Sequence, residues 1–123
     1  MKVAVISDIH GNFDALVAVL EKAENENVTH LLILGDIVGY YYHPDKIMDL
    51  LSEWSFDIIK GNHEKILEDL IADSSLSETI RLKYGSGHQE AINKLTQEQL
   101  SFLSDLPETK TVQFGQISLL MCH

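Results

Sequence analysis

Lys2-Val3-Ala4-Val5-Ile6-Ser7-Asp8-Ile9-His10-Gly11-Asn12-Phe13 opens the chain, and its character changes in the middle. The first half is apolar and rich in β-branched residues, which reads as a strand. The second half is polar and carries Gly11 and Asn12, which reads as the loop that ends it. From Phe13 the apolar residues Phe13, Leu16, Val17, Leu20 and Ala23 recur at helical spacing, with Asn12 placed to cap the helix.

The same unit follows twice more. Leu31-Leu32-Ile33-Leu34 is a second strand, and its unbroken apolar run suits a strand covered on both faces. Pro44 fits a first helical turn, and Ile47, Leu50 and Leu51 continue a short amphipathic helix toward a third strand, Phe56 to Lys60. Strands that alternate with helices pair in parallel through right-handed crossovers. Ligands of such sheets gather at the carboxyl ends of the strands. Each strand here runs into a short polar cluster: Asp8-Ile9-His10, Gly35-Asp36 and Gly61-Asn62-His63-Glu64. Asp8, His10, Asp36, Asn62 and His63 are therefore expected on one rim.

Past Glu64 the pattern is mostly helical. Ile66, Leu67, Leu70 and Ile71 form one stripe, and Ala91, Ile92 and Leu95 form another after Gly85-Ser86-Gly87. Thr96 with Gln99 resembles a capping box for a helix that ends before Pro107. Thr109 to Phe114 and Gln116 to Cys122, separated by Gly115, read as a hairpin. No repeat or linker interrupts residues 1–123, which points to a single domain.

With 123 residues and 45% hydrophobic content the chain has the composition of one soluble domain. The apolar run from Val3 to Ile6 is too short for a signal segment, and no stretch reaches membrane-spanning length. A single cysteine, Cys122, excludes an internal disulfide and fits a reducing, cytoplasmic setting. On its apolar strand it reads as a buried thiol. The formal charge of -10 disfavours a long nucleic-acid partner, which demands a basic footprint. It leaves room for a small phosphorylated substrate, because bound divalent ions dominate the local field.

Asp8, His10, Asp36 and Asn62 supply the hard and borderline donors that a pair of divalent ions needs. Read one at a time, Asp8 with His10 also suits a simple turn, and Asn62 a helix cap near Glu64. Read together, Asp8-Ile9-His10, Gly35-Asp36 and Gly61-Asn62-His63 stand in the order of the Asp-x-His, Gly-Asp and Gly-Asn-His motifs, and the chain resembles the calcineurin-like metallophosphoesterase family, nearest its small bacterial-type members. The resemblance implies an α/β sandwich that starts β-α-β-α-β. It also implies Asp8 and His10 on a first metal, Asp36 bridging two, and Asn62 on the second. Ser118 to His123 is similar to a later strand of the family that ends in a second-metal ligand, which makes His123 the matching position. By the same resemblance His63 is a catalytic group beside the phosphate, not a ligand. Asn62 and His63 are expected to touch substrate, with His88 and Tyr40 as further candidates on that side.

Two departures from the family pattern shape the expectations. The closing Gly-His-x-His motif does not follow His123, so residues 1–123 are expected to be the front of a truncated domain with apolar surface left open to self-association. Gly39 stands where many relatives carry an acidic residue. The implied function is hydrolysis of a phosphate mono- or diester by a metal-bridging hydroxide, with two divalent ions such as manganese, iron or zinc. The alternative is a non-catalytic remnant or fragment that binds metal or a partner without turnover.

Overall fold

Strand β1 (Val3–Ile6), helix α1 (Phe13–Asn25), strand β2 (His30–Ile33), helix α2 (Pro44–Leu51) and strand β3 (Phe56–Ile58) follow one another in a computed structural model that describes residues 1–123. The strands pair in parallel in the order β1-β2-β3, with Ile6 opposite Ile33 and Ile33 opposite Ile58. This is the expected β-α-β-α-β start. β3 is shorter than the apolar run suggests because Lys60 N leaves the sheet and donates to Pro107 O at 2.7 Å.

Alternation decides what each side of β2 meets. Leu31 and Ile33 point into the main core with Leu16 and Leu20 of α1 and Ile47 and Leu51 of α2. Leu32 points the other way, onto Ile59, Val112 and Met121. The strand is thus covered on both faces, and each large aliphatic side chain so buried contributes about 1.5–3 kcal/mol. Asn12 caps α1 as its position foretells, accepting from Ala15 N at 3.2 Å.

Four helices follow: α3 (Asn62–Ala72), α4 (Ser77–Tyr84), α5 (Gly87–Lys94) and α6 (Gln97–Ser104), with a 3-10 turn at Ser74–Leu76. Thr96 and Gln99 form the foreseen capping box of α6. Helix α4 escapes the sequence reading because it buries only Ile80, too little for a periodic signal. Ile71 does not join the α3 stripe: it is 47% exposed, whereas Leu67 and Leu70 are buried.

Strands β4 (Thr109–Phe114) and β5 (Ile117–Cys122) form an antiparallel hairpin turned at Gly115, whose φ of 59° suits glycine. Val112 and Met121 lay this hairpin over the sheet face opposite the helices. Side chains alternate along β5, so with Met121 facing inward Cys122 faces out. Cys122 is exposed, and the expectation of a buried thiol is corrected. Val5, Ile117 and Leu120 are also exposed, at 61–68%. No helix is long and apolar enough to cross a membrane.

Candidate metal centre

Backbone hydrogen bonds carry the strand order past the strand ends and stack the loops. Leu34 N donates to Ile6 O, Asp8 N to Gly35 O, His10 N to Asp36 O and Gly11 N to Ile37 O. Asp8, His10, Asp36 and Tyr40 hold positive φ, between 50° and 64°. Left-handed backbone is uncommon for residues with a Cβ and persists where the surroundings over-determine it. Here it turns the side chains of Asp8, His10 and Asp36 toward each other.

Glycines let the second and third loops touch. A Cβ on Gly35 would collide with the backbone of Gly61, and one on Gly61 with the carboxylate of Asp36. That contact seats Asp36, 2% exposed, against the start of α3, where His63 N donates to its Oδ1 at 2.9 Å. The positive end of the helix favours the anion. Glu64 locks the loop from beneath. Its Oε1 accepts from Asp36 N and Gly61 N, and its Oε2 from Ile37 N and Val38 N. Burial raises the Glu64 carboxyl, while the bonds from Gly61 and Asp36 oppose the rise.

With Oδ1 of Asp36 held by the helix, Oδ2 is left to face two imidazoles. It lies 3.7 Å from His10 Nε2 and 3.3 Å from His123 Nε2. Both rings are oriented by their other nitrogen: His10 Nδ1 meets Val38 O at 2.9 Å, and His123 Nδ1 meets Leu34 O at 2.6 Å. A carbonyl only accepts, so each Nδ1 carries the proton, and in a neutral ring each Nε2 offers a lone pair. His123 Nε2 also stands 2.9 Å from Asn62 Oδ1, and Asp8 Oδ1 3.4 Å from His10 Nε2. The Ser7 hydroxyl, donating to Asp8 Oδ2 at 2.6 Å, holds the Asp8 carboxyl below its ordinary value.

Acceptor atoms therefore converge without a proton to share. Asp8, Asp36 and His123 bring ligand atoms within 4.8 Å of one another, as do His10, Asp36 and His63. Asp36 belongs to both groups. Carboxylate, amide and imidazole donors so placed fit a divalent cation, which relieves the repulsion of facing lone pairs. The second group includes His63, which the sequence reading keeps apart from the ligands.

His63 is buried in a box of rings. His10 and Tyr40 stand 4.8 and 5.0 Å from its centroid, Tyr84 5.0 Å, and His88 meets it edge to edge, with centroids 5.1 Å apart and 12° between planes. Burial holds the His63 imidazole below its usual value, against the opposing pull of Asp36. Burial, followed by the neighbouring His63 and His10, pushes His88 down to about 4.

The chain is similar to proteins of known sequence and structure. The sequence matches the calcineurin-like phosphoesterases over residues 1–121. The chain belongs to the calcineurin-like phosphoesterase family. A metallophosphoesterase from Sphaerobacter thermophilus superposes with a TM-score of 0.65 at 28% identity, over 89% of this chain and 42% of its own. The hypothetical protein PH1004 from Pyrococcus horikoshii superposes with a TM-score of 0.73 at 25% identity, over 96% and 52%. The uncharacterized protein MJ0912 of Methanocaldococcus jannaschii is 42% identical over 62 residues, half of this chain and 26% of that protein. The chain thus spans about a quarter to a half of the length of these relatives.

Asp8, His10, Asp36, Asn62, His63 and His123 lie together at this rim, and Asn62 turns to His123 instead of capping α3. Tyr40 is 44% exposed and flanks His10 at 4.9 Å, open to a ligand. His88 is not on the substrate side: it is fully buried behind His63, out of reach of any ligand. Glu64 and Tyr84 are site-building residues with no role in the sequence reading. The glutamate stands in the Gly61-Asn62-His63-Glu64 cluster, whereas nothing local marks Tyr84.

Proposed function

We propose that this centre binds two divalent cations and that the protein hydrolyses a phosphate mono- or diester with them. The observation that carries this reading is the meeting of His10 and His123 Nε2 at the Oδ2 of Asp36, with Asp8 Oδ1 beside His10 and Asn62 Oδ1 beside His123. Asp8 and His10 would hold one ion, Asn62 and His123 the other, and Asp36 would be shared. Bound there, the ions supply Lewis acidity toward phosphoryl oxygens and a water-derived nucleophile at neutral pH. Their identity is open to manganese, iron or zinc, because this donor mixture suits each.

The remaining work falls to the chain. The N-terminus of α3 and Glu64 hold Asp36 rigid, so its charge needs no reorganisation during reaction. With Nδ1 of His63 engaged by His88, Nε2 is the nitrogen left to a ligand, where it protonates the leaving oxygen or steadies developing charge. A depression of about 620 Å³ beside the centre, lined by Asn62, Lys65, Tyr84, Thr109 and His123, suits a small phosphorylated substrate. The net charge of -10 argues against a long nucleic acid, and the lone cysteine supports a cytoplasmic setting. Exposed Val5, Ile117 and Leu120 support self-association.

A second reading, metal or partner binding without turnover, is favoured by the openness of the rim: the Asp8 side chain is 57% exposed and that of His123 27%. Manganese titration followed by assay on p-nitrophenyl phosphate and its bis-ester separates the two. Turnover that appears with bound manganese and disappears with chelator is expected. Binding without turnover on either ester selects the second reading, and absence of binding rejects the metal centre in both.

A further inference from the structure

Behind His63 lies a second imidazole that no ligand reaches. His88 Nε2 is 3.1 Å from His63 Nδ1, and the two rings are nearly parallel. The contact is built by glycines. A Cβ on Gly39 would stand 2.5 Å from His63 Nδ1 and 3.1 Å from His88 Nε2. A Cβ on Gly87 would stand 2.5 Å from Tyr40 N, so only a glycine lets the start of α5 lie against the Gly39–Tyr40 backbone. That packing sets His88 directly behind His63.

One proton lies between the facing nitrogens, and it has two possible owners. If His63 Nδ1 donates, His88 must carry its own proton on Nδ1, an atom that is buried and has no partner. If His88 Nε2 donates, that orphan atom is a bare lone pair. Buried N–H groups without acceptors are rarer in folded proteins than under-used acceptors, so the second arrangement is favoured. It leaves His63 with its proton on Nε2, the nitrogen not engaged by His88.

We propose that His88 is a positioning residue for His63: by donating from Nε2 to His63 Nδ1, it holds His63 upright and in the tautomer that presents an Nε2–H to the ligand site. The proposal rests on the phosphoesterase reading for its use, because a proton on Nε2 is what a leaving oxygen requires. The hydrogen bond itself stands independently of turnover.

The test reads the tautomer directly. Long-range nitrogen–proton NMR of the metal-free protein labelled with nitrogen-15 on histidine assigns the proton of each ring. Nε2–H on both His63 and His88 is expected, and a proton on Nδ1 of His63 overturns the proposal with no variant needed. His88→Phe keeps a flat ring without a donor and should convert His63 to a mixture of tautomers; His88→Gln returns an N–H donor and should restore it. An unchanged His63 tautomer in His88→Phe also overturns the proposal, and should that variant fail to fold, the native spectrum and His88→Gln decide. With manganese and p-nitrophenyl phosphate, His88→Phe is expected to lower kcat about 10–100-fold with KM little changed. If the native protein shows no turnover while the tautomer is as expected, the phosphoesterase reading fails and the positioning contact stands.

Discussion

Glu64 accepts the backbone N–H of Asp36 at 2.6 Å, joining the first turn of α3 to the loop after β2 across 28 residues of sequence. Both carboxylates are nearly sealed from water, at 1% and 2% exposure, yet they serve different ends. The Glu64 oxygens are spent on backbone donors, whereas Asp36 keeps Oδ2 turned to the histidines.

Glu64→Gln tests the first of these roles. An amide nitrogen would replace one oxygen and face backbone N–H groups, leaving buried donors unpaired at about 1–3 kcal/mol each. A loss of about 2–4 kcal/mol in urea denaturation is expected, with weaker metal binding because the Asp36 loop loosens. A loss below about 0.5 kcal/mol, the range of an ordinary surface change, would contradict this role.

Asp36 is the one side chain common to both ligand groups, whereas Asp8 sits in only one of them. Asp36→Asn should abolish binding of more than one manganese ion, while Asp8→Asn should weaken binding without abolishing it. Electron paramagnetic resonance titration counts the bound ions in each variant, and equal stoichiometry in both would remove Asp36 from its bridging position.

His63→Ala separates ligand from catalyst. Turnover should drop about 10²–10⁴-fold, as for loss of a general acid, with manganese affinity nearly unchanged. If affinity falls in parallel with turnover, His63 is a ligand, as its grouping with His10 and Asp36 permits.

Acid should expose His88. Its folded-state value of about 4 lies below the ordinary 6.5, so between these limits the unfolded chain takes up a proton that the folded chain refuses. The unfolded state then binds more protons, and stability rises with pH through that window. The stability is fully present above pH 6.5 and declines as pH falls toward 4, by at most about 3 kcal/mol. Denaturation of the metal-free protein across pH 4–7 should show this slope, and His88→Gln should flatten it; a slope that survives the substitution assigns the effect to other groups.

Much of this protein is legible in its sequence because the relevant signals are local. The apolar run Val3 to Ile6, the helical spacing from Phe13 and the unbroken Leu31 to Leu34 declare a parallel β-α-β-α-β start. Parallel pairing then places whatever follows each strand at one end of the sheet. That is why Asp8, His10, Asp36, Asn62 and His63, though scattered along the chain, fall at one rim, whereas His123 arrives from the separate antiparallel hairpin and is held there by Leu34 O. What remained hidden depends on which neighbour a side chain meets. Cys122 faces out because Met121 faces in, Ile71 is exposed whereas Leu67 and Leu70 are buried, and Tyr84 joins the site from a helix with almost no periodic signal. The pairing of His63 with His88 likewise exists only because Gly39 and Gly87 let separate backbones approach, a contact distance that composition and spacing do not encode.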